Sequence, residues 1–137
     1  MIALSVDLGH ARTGLAVSDK SGFLASSLCV ITEYNDEKLI EKIAAQAAEV
    51  KAELLVVGLP RNMDGSEGES AQRAREIAAA LSEKTGLPHV MQDERGTTIT
   101  AHAYLSSGNV YGKKRKQKVD AVAASIILQD YLDSRRG

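Results

Sequence analysis

The sequence has few of the residues that define several specialised classes of protein. Its 137 residues include one cysteine, two prolines, one phenylalanine and no tryptophan. The single thiol, Cys29, excludes an internal disulfide, and without a second thiol nearby a structural zinc site has no basis. The N-terminus also lacks a basic segment followed by a long apolar stretch. We therefore expect no secretory signal, no membrane association and a location in the cytoplasm.

The composition is that of an ordinary soluble domain. Hydrophobic residues make up 44% of the chain and charged residues 26%, which fits neither a disordered nor a membrane-spanning protein. The length suits one compact domain and is too short for two full hydrophobic cores. We therefore expect residues 1–137 to form a single domain.

The net charge of −1 conceals an uneven distribution of charge. Residues 113–118, KKRKQK, hold five of the 17 Lys and Arg residues and none of the 18 Asp and Glu residues. Such a segment can attract a polyphosphate backbone by releasing its condensed counterions. Taken alone, it is more simply explained as a solvated charged loop, so other features must decide between the two.

Hydrophobic spacing predicts five strands and four helices. Apolar and β-branched runs predict strands at 2–8, 14–19, 23–32, 53–59 and 88–94. Helical spacing predicts a helix at about 36–50, capped by Asn35 or Asp36. It predicts three more helices, from a capping box at Ser66 and Glu69 to Gly86, at 97–106 and at 119–133. Residues 107–117 are expected to be a mobile loop. The order β-β-β-α-β-α-β-α-α predicts a mixed sheet with three antiparallel strands first and helices on its faces.

Three carboxylates occupy positions that such a fold can bring together. Asp7 is near the end of the first strand, Glu94 ends the last strand, and Asp120 falls in the first turn of the last helix. Each has a structural explanation, because strand ends face water and the helix dipole stabilises an acid in the first turn. Asp7 is harder to explain in this way, since it lies inside an apolar run. Gly9 and Gly14 follow it and would let a backbone or a ligand approach closely.

A cluster of carboxylates needs a cation, because the charges would otherwise repel one another and partly protonate. Oxygen ligands alone indicate Mg²⁺ or Mn²⁺, and such ions can activate water for the hydrolysis of phosphodiester bonds. Neither His89 nor His102 has metal-ligand spacing. His89 is expected to pack in the core, whereas His10 lies beside Asp7 and could have a supporting role.

Four segments of the sequence resemble the YqgF/RuvX family of pre-16S rRNA nucleases and Holliday-junction-resolvase-like proteins. They are VDLGHARTGLAVSD at 6–19, VVGLPRNMDGSEGE at 56–69, DERGTT at 93–98 and VDAVAASIILQDYL at 119–132. They occur in the family's order and span nearly the whole chain. The resemblance implies an α/β, ribonuclease-H-like fold with a mixed five-stranded sheet and helices on both faces. It also implies catalytic, metal-binding roles for Asp7, Glu94 and Asp120.

The same resemblance indicates how the protein would contact nucleic acid. The candidate phosphate contacts that it implies are Arg12, Asn62, Arg95 and Lys118. In this context we expect the basic segment to hold a nucleic-acid backbone near the metal through Lys113, Lys114, Arg115 and Lys116. The chain departs from the family at Gly96, where leucine is more common, and this can shift the start of the third helix. Because adjacent strand residues point to opposite faces, Asp93 stays an alternative to the favoured Glu94.

Three other functions fit parts of the sequence. The D-x-G run before a glycine-containing hairpin also resembles the first phosphate loop of the actin and sugar-kinase group, but those proteins need two such halves. A non-catalytic RNA-binding ribosome-assembly factor could use the same fold, although carboxylates repel phosphate. A junction resolvase needs a two-fold dimer, and no cluster of aromatic residues marks a dimer face.

We therefore expect an Mg²⁺- or Mn²⁺-dependent nuclease that hydrolyses RNA phosphodiester bonds. The expected substrate is precursor 16S rRNA, cleaved during maturation of its 5′ end, with the ribosome as a place of action. The rRNA assignment rests on the resemblance alone. Branched DNA is the alternative substrate, and the protein is expected to be a monomer or a weak homodimer.

Overall fold

The computed structural model describes residues 1–60, 64, 66–93 and 112–136. These residues form five strands and three helices. The elements are β1 (Ala3–Leu8), β2 (Arg12–Ser18), β3 (Ala25–Thr32), α1 (Asp36–Glu49), β4 (Leu54–Leu59), α2 (Glu69–Thr85), β5 (His89–Asp93) and α3 (Gly112–Arg136). The helix predicted at 97–106 lies outside the described residues.

The five strands form one mixed sheet in the order β3-β2-β1-β4-β5. β1 pairs antiparallel with β2, and β2 with β3, whereas β1 pairs parallel with β4, and β4 with β5. All six residues of β4 are buried, as expected for a parallel strand that is covered on both sides. The predicted mixed sheet with three antiparallel strands first is confirmed.

Alternate strand residues supply two separate hydrophobic cores. On one side of the sheet, which we call the α1/α2 face, the buried strand residues are Leu4, Val6, Leu15, Leu55 and Val57. On the other side, the α3 face, they are Ala3, Ala16, Leu54 and Val56. Burial of one Leu or Val side chain contributes about 1.5–3 kcal/mol, so the helices on both faces together stabilise the sheet between them.

The ends of α1 and α2 test the predicted caps. Of the two candidate caps of α1, Asn35 is the one used, because its side chain accepts a hydrogen bond from the backbone N–H of Lys38 at 2.9 Å. The capping box predicted for α2 is wrong: the N-cap is Gly68, and the Ser66 hydroxyl instead donates to Asp64 at 2.6 Å. α2 ends as predicted at Gly86, whose φ of 75° is left-handed.

The largest difference from prediction is the start of α3. The helix begins at Gly112 rather than near 119, so residues 112–117 are helical and not the expected mobile loop. Asp120 is consequently the ninth residue of the helix, not part of its first turn. The high charge of the basic segment favours a loop. It is nevertheless helical because Lys, Arg and Gln are all good helix formers and no proline interrupts the segment.

Two smaller findings concern exposure. His89, expected to pack in the core, is exposed at the start of β5. Among the described residues, no helix is both long enough and apolar enough to cross a bilayer.

Candidate active site

Asp7 lies at the sheet edge where the parallel strands end. It is the fifth of six residues of β1, is half-buried, and pairs with Gly14 of β2. Ala3 of the same strand packs on the α3 face, so strand alternation places Asp7 on that face too. Extending the β1–β4 register by one residue brings Gly58 level with Asp7 on its other side. Neither neighbouring strand therefore presents a side chain beside this carboxylate.

Helix α3 crosses the same face in the direction opposite to β1. The start of β1 lies by the end of the helix, because Met1 and Ala3 line a cavity with Tyr131 and Leu132. In the middle of the strand, the Ser5 hydroxyl donates to the carbonyl oxygen of Ala124 at 2.7 Å. This contact fixes how the strand and the helix are aligned.

That alignment brings the positions of Asp7 and Asp120 to the same level of the sheet. Asp7 is two residues beyond Ser5, about 7 Å along the strand. Asp120 is four residues before Ala124, one turn or about 6 Å along the helix in the same direction. Two positions that are far apart in sequence therefore lie at the same level of the carboxyl edge, on the α3 face.

The orientation of β5 separates Asp93 from Asp7. Val90 packs with the core on the α3 face, whereas Met91 packs with the core on the α1/α2 face. Alternation then directs Asp93 to the α1/α2 face, on the other side of the sheet from Asp7. Glu94 follows directly in the chain and lies outside the described residues. The alternation therefore argues against Asp93 as a partner of Asp7.

The predicted nucleic-acid contacts fall partly within the described chain. Arg12 is the first residue of β2, is half-buried and pairs with Thr32. Alternation along β2 places Arg12 on the α3 face with Gly14 and Ala16, at the same edge as Asp7. The backbone of the basic segment, including Lys118, forms the first two turns of α3. Asn62 and Arg95 lie outside the described residues.

The residues present suit a divalent metal ion, although the described part of the chain holds no complete cluster of ligands. Within that part, no three His, Cys, Asp or Glu side chains come close enough together to hold a metal ion. Glu94 and the side chain of Asp120 lie outside it. Asp7 offers oxygen ligands at an edge whose flanking positions on both neighbouring strands are glycine, the residue that lets a ligand approach a strand closely.

Sequence reasoning missed Arg73 of α2, which reaches the turn after Asp7. Its guanidinium donates to the carbonyl oxygen of Gly9 at 2.9 Å and to the Asp36 carboxylate at 2.8 Å. The hydrogen bond from Arg73 lowers the pKa of Asp36 below its usual value. In the sequence, Arg73 flanks the buried alanine stripe of α2, where a solvated arginine would look the same, so no local signal could have identified it.

Comparison with known proteins gives consistent matches along the whole chain. The sequence model of the RuvX family, described as Holliday junction resolvase, matches residues 1–134. A protein of Nitrosospira multiformis provisionally named pre-16S rRNA nuclease is 40% identical over 133 residues, covering 97% of this chain and 88% of that protein. One of the same name from Geobacillus kaustophilus is 41% identical over 139 residues, covering 99% of this chain and all of that protein.

Solved structures show the same architecture at low sequence identity. RuvC of Thermus thermophilus, solved in complex with a Holliday junction substrate, superposes with a TM-score of 0.64. It shares 15% identity, and the match covers 100% of this chain and 96% of the RuvC chain. The likeness shows the ribonuclease-H-like fold.

Proposed function

This chain belongs to the RuvX family and is a phosphodiester-hydrolysing nuclease, and we propose that it cleaves RNA with Mg²⁺ or Mn²⁺ held by Asp7, Glu94 and Asp120. The observation that carries the proposal is the position of Asp7. It lies on the α3 face at the carboxyl edge, level with the Asp120 position and flanked by Gly14 and Gly58. In open α/β sheets, ligands bind at this edge.

The carboxylates, the glycines and the basic residues would each have a separate role in cleavage. The three carboxylates supply oxygen ligands, and the glycines beside Asp7 let a phosphate approach the edge. When bound, the metal ion supplies Lewis acidity that activates water and stabilises the leaving oxygen. Arg12 would donate hydrogen bonds to a phosphate oxygen from the same face, with Asn62 and Arg95 as further donors. The basic segment of α3 would hold the adjoining backbone by charge.

Precursor 16S rRNA is the substrate that the relatives favour. The two relatives described above carry that name at about 40% identity over nearly their whole length. The family description and the RuvC complex point instead to branched DNA, but RuvC shares only 15% identity. Symmetrical cutting of a junction would also require a two-fold dimer. We propose maturation of the 5′ end in the cytoplasm, at the ribosome, by a monomer or weak homodimer.

A cleavage assay with two substrates tests both the metal and the substrate. Labelled 5′ ends of precursor 16S rRNA and synthetic four-way DNA junctions are incubated with the protein in Mn²⁺, and in parallel with a chelator. We expect the RNA to be cut only when metal is present. The Asp7→Asn variant should lose about 10³-fold in rate, because a metal ion supplies several kcal/mol of transition-state stabilisation.

The matched control is Asp133→Asn, which changes an exposed carboxylate near the distal end of α3 and should leave the rate unchanged. Cleavage that survives chelation or the Asp7→Asn change would contradict the metal mechanism. Cutting of junctions but not of RNA would contradict the choice of substrate.

A further inference from the structure

Arg73 contacts the turn that follows Asp7 from the α1/α2 face, opposite to the face on which Asp7 lies. Arg73 of α2 donates from Nη1 to the carbonyl oxygen of Gly9 at 2.9 Å. The same guanidinium donates from Nη2 and Nε to the two carboxylate oxygens of Asp36, at 2.8 and 3.4 Å. Asp36 is the first residue of α1, so one guanidinium joins both helices of the α1/α2 face to this turn.

The turn is tight enough to require glycine at position 9. A Cβ atom added to Gly9 would lie 2.2 Å from the carbonyl oxygen of Arg12, so two parts of the backbone approach too closely for a side chain there. The turn leads from the end of β1 to the start of β2, and so links the Asp7 and Arg12 positions. A shift at Gly9 would therefore move both ends of the proposed site.

We infer that Arg73 is a positioning residue: it holds the Gly9 carbonyl and thereby fixes where the Asp7 carboxylate lies when it binds metal. The inference rests on the proposed function for Asp7. Arginine is required because its planar fork reaches the Gly9 oxygen and both Asp36 oxygens together, whereas a lysine ammonium is a single point of charge. Asp36 acts by orienting the fork.

The role is local and not a matter of overall stability. The Arg73 side chain is 29% exposed and that of Asp36 is 49% exposed. Ion pairs this accessible to water contribute little to the stability of the fold. Removal of Arg73 would break a hydrogen bond to a tight turn beside the site. Loss of such a supporting contact typically lowers metal affinity or activity by about 10–100-fold.

The same helix offers a matched control. Arg75, two residues along α2, makes an equivalent fork to Glu67, with Nε to Oε1 at 2.8 Å and Nη2 to Oε2 at 2.9 Å. The Arg75 side chain is 47% exposed. Residues two apart do not share a helix face, so Arg75 does not project towards the turn as Arg73 does. Arg75→Gln therefore removes the same kind of interaction from the same helix without disturbing Gly9.

The test compares Arg73→Gln, Arg73→Lys and Asp36→Asn with Arg75→Gln. Amide hydrogen exchange at residues 9–12 is measured in metal-free protein, together with the dissociation constant for Mn²⁺ and the separate kcat and KM for RNA. We expect both Arg73 variants to speed exchange at the turn, to weaken Mn²⁺ binding about tenfold or more, and to lower kcat with little change in KM. Asp36→Asn should have a smaller effect in the same direction, and Arg75→Gln none.

Equal exchange and equal Mn²⁺ affinity in Arg73→Gln and Arg75→Gln would overturn the inference. So would full rescue by Arg73→Lys, since a point charge would then suffice. The exchange measurement needs neither metal nor substrate. An inactive wild-type protein would thus contradict the proposed function, while the exchange rates at the turn still decide whether Arg73 holds it.

Discussion

At the scale of single residues, the alternation of a β-strand decides which acidic side chains can act together. Asp7 can be identified from the sequence because a carboxylate within an apolar run is unusual. The sequence favours Glu94 over Asp93 but does not settle the choice, because the choice depends on the face of the sheet to which each of the two side chains points. The packing of Val90 and Met91 into opposite cores supplies that information for Asp93.

Neutralising the two acids at the end of β5 should therefore have unequal effects. We expect Glu94→Gln to lower the rate of metal-dependent cleavage by about 10³-fold, as for removal of a metal ligand. Asp93→Asn should stay within a few-fold of wild type, because its side chain lies on the α1/α2 face. Single-turnover cleavage rates in Mn²⁺ measure both, and equal reductions in the two variants would refute the assignment.

At the scale of elements, local signals predict the helices but not all of their ends. The sequence predicts Gly86 as the end of α2 and narrows the cap of α1 to Asn35 or Asp36, because such residues satisfy backbone groups at a helix end within a few residues. The capping box is wrong because Ser66 bonds to Asp64 before the helix begins. α3 starts earlier than predicted because the helix propensity of the basic segment outweighs the repulsion between its charges.

The helical form of the basic segment supports its predicted role in binding a phosphate backbone. Cations in the first turns of a helix oppose the positive end of the helix dipole, at a cost of about 0.3–1 kcal/mol each near the surface. A bound phosphate backbone would offset that cost. The segment also lies within two turns of the Asp120 position, so nucleic acid held there would be close to the carboxyl edge.

Neutralising part of the segment should weaken RNA binding and reduce its dependence on salt. The variant changes three lysines to glutamine: Lys113, Lys114 and Lys116. For single strands, the slope of log affinity against log salt should fall by about 0.7 for each phosphate that the variant no longer neutralises. Binding isotherms at several salt concentrations measure the slope.

A second triple variant controls for the change in net charge. It replaces three exposed lysines that lie outside the basic segment: Lys20, Lys51 and Lys84. Its salt slope should equal that of wild type. If both triple variants flatten the slope equally, the segment contributes only to overall charge and makes no specific contact with RNA.

At the scale of the whole molecule, the sequence predicts the layers but not the contacts that cross them. The order of strands and helices indicates a mixed sheet covered on both faces, and the structure confirms it. The alignment of β1 with α3 depends on a hydrogen bond between residues 119 positions apart, and the contact of Arg73 with Gly9 spans 64 positions. Neither leaves a periodic signal, because both arise only when separate elements pack.

In the proposed mechanism, Asp7 holds a divalent metal ion on the α3 face of the sheet. The most direct test is anomalous diffraction from crystals of the protein soaked with Mn²⁺. We expect a manganese peak within coordination distance of the Asp7 carboxylate, on the side facing α3 and between Asp7 and Asp120. A peak bound by Asp93 on the α1/α2 face, or no peak at Asp7 in Mn²⁺ that supports cleavage, would contradict it.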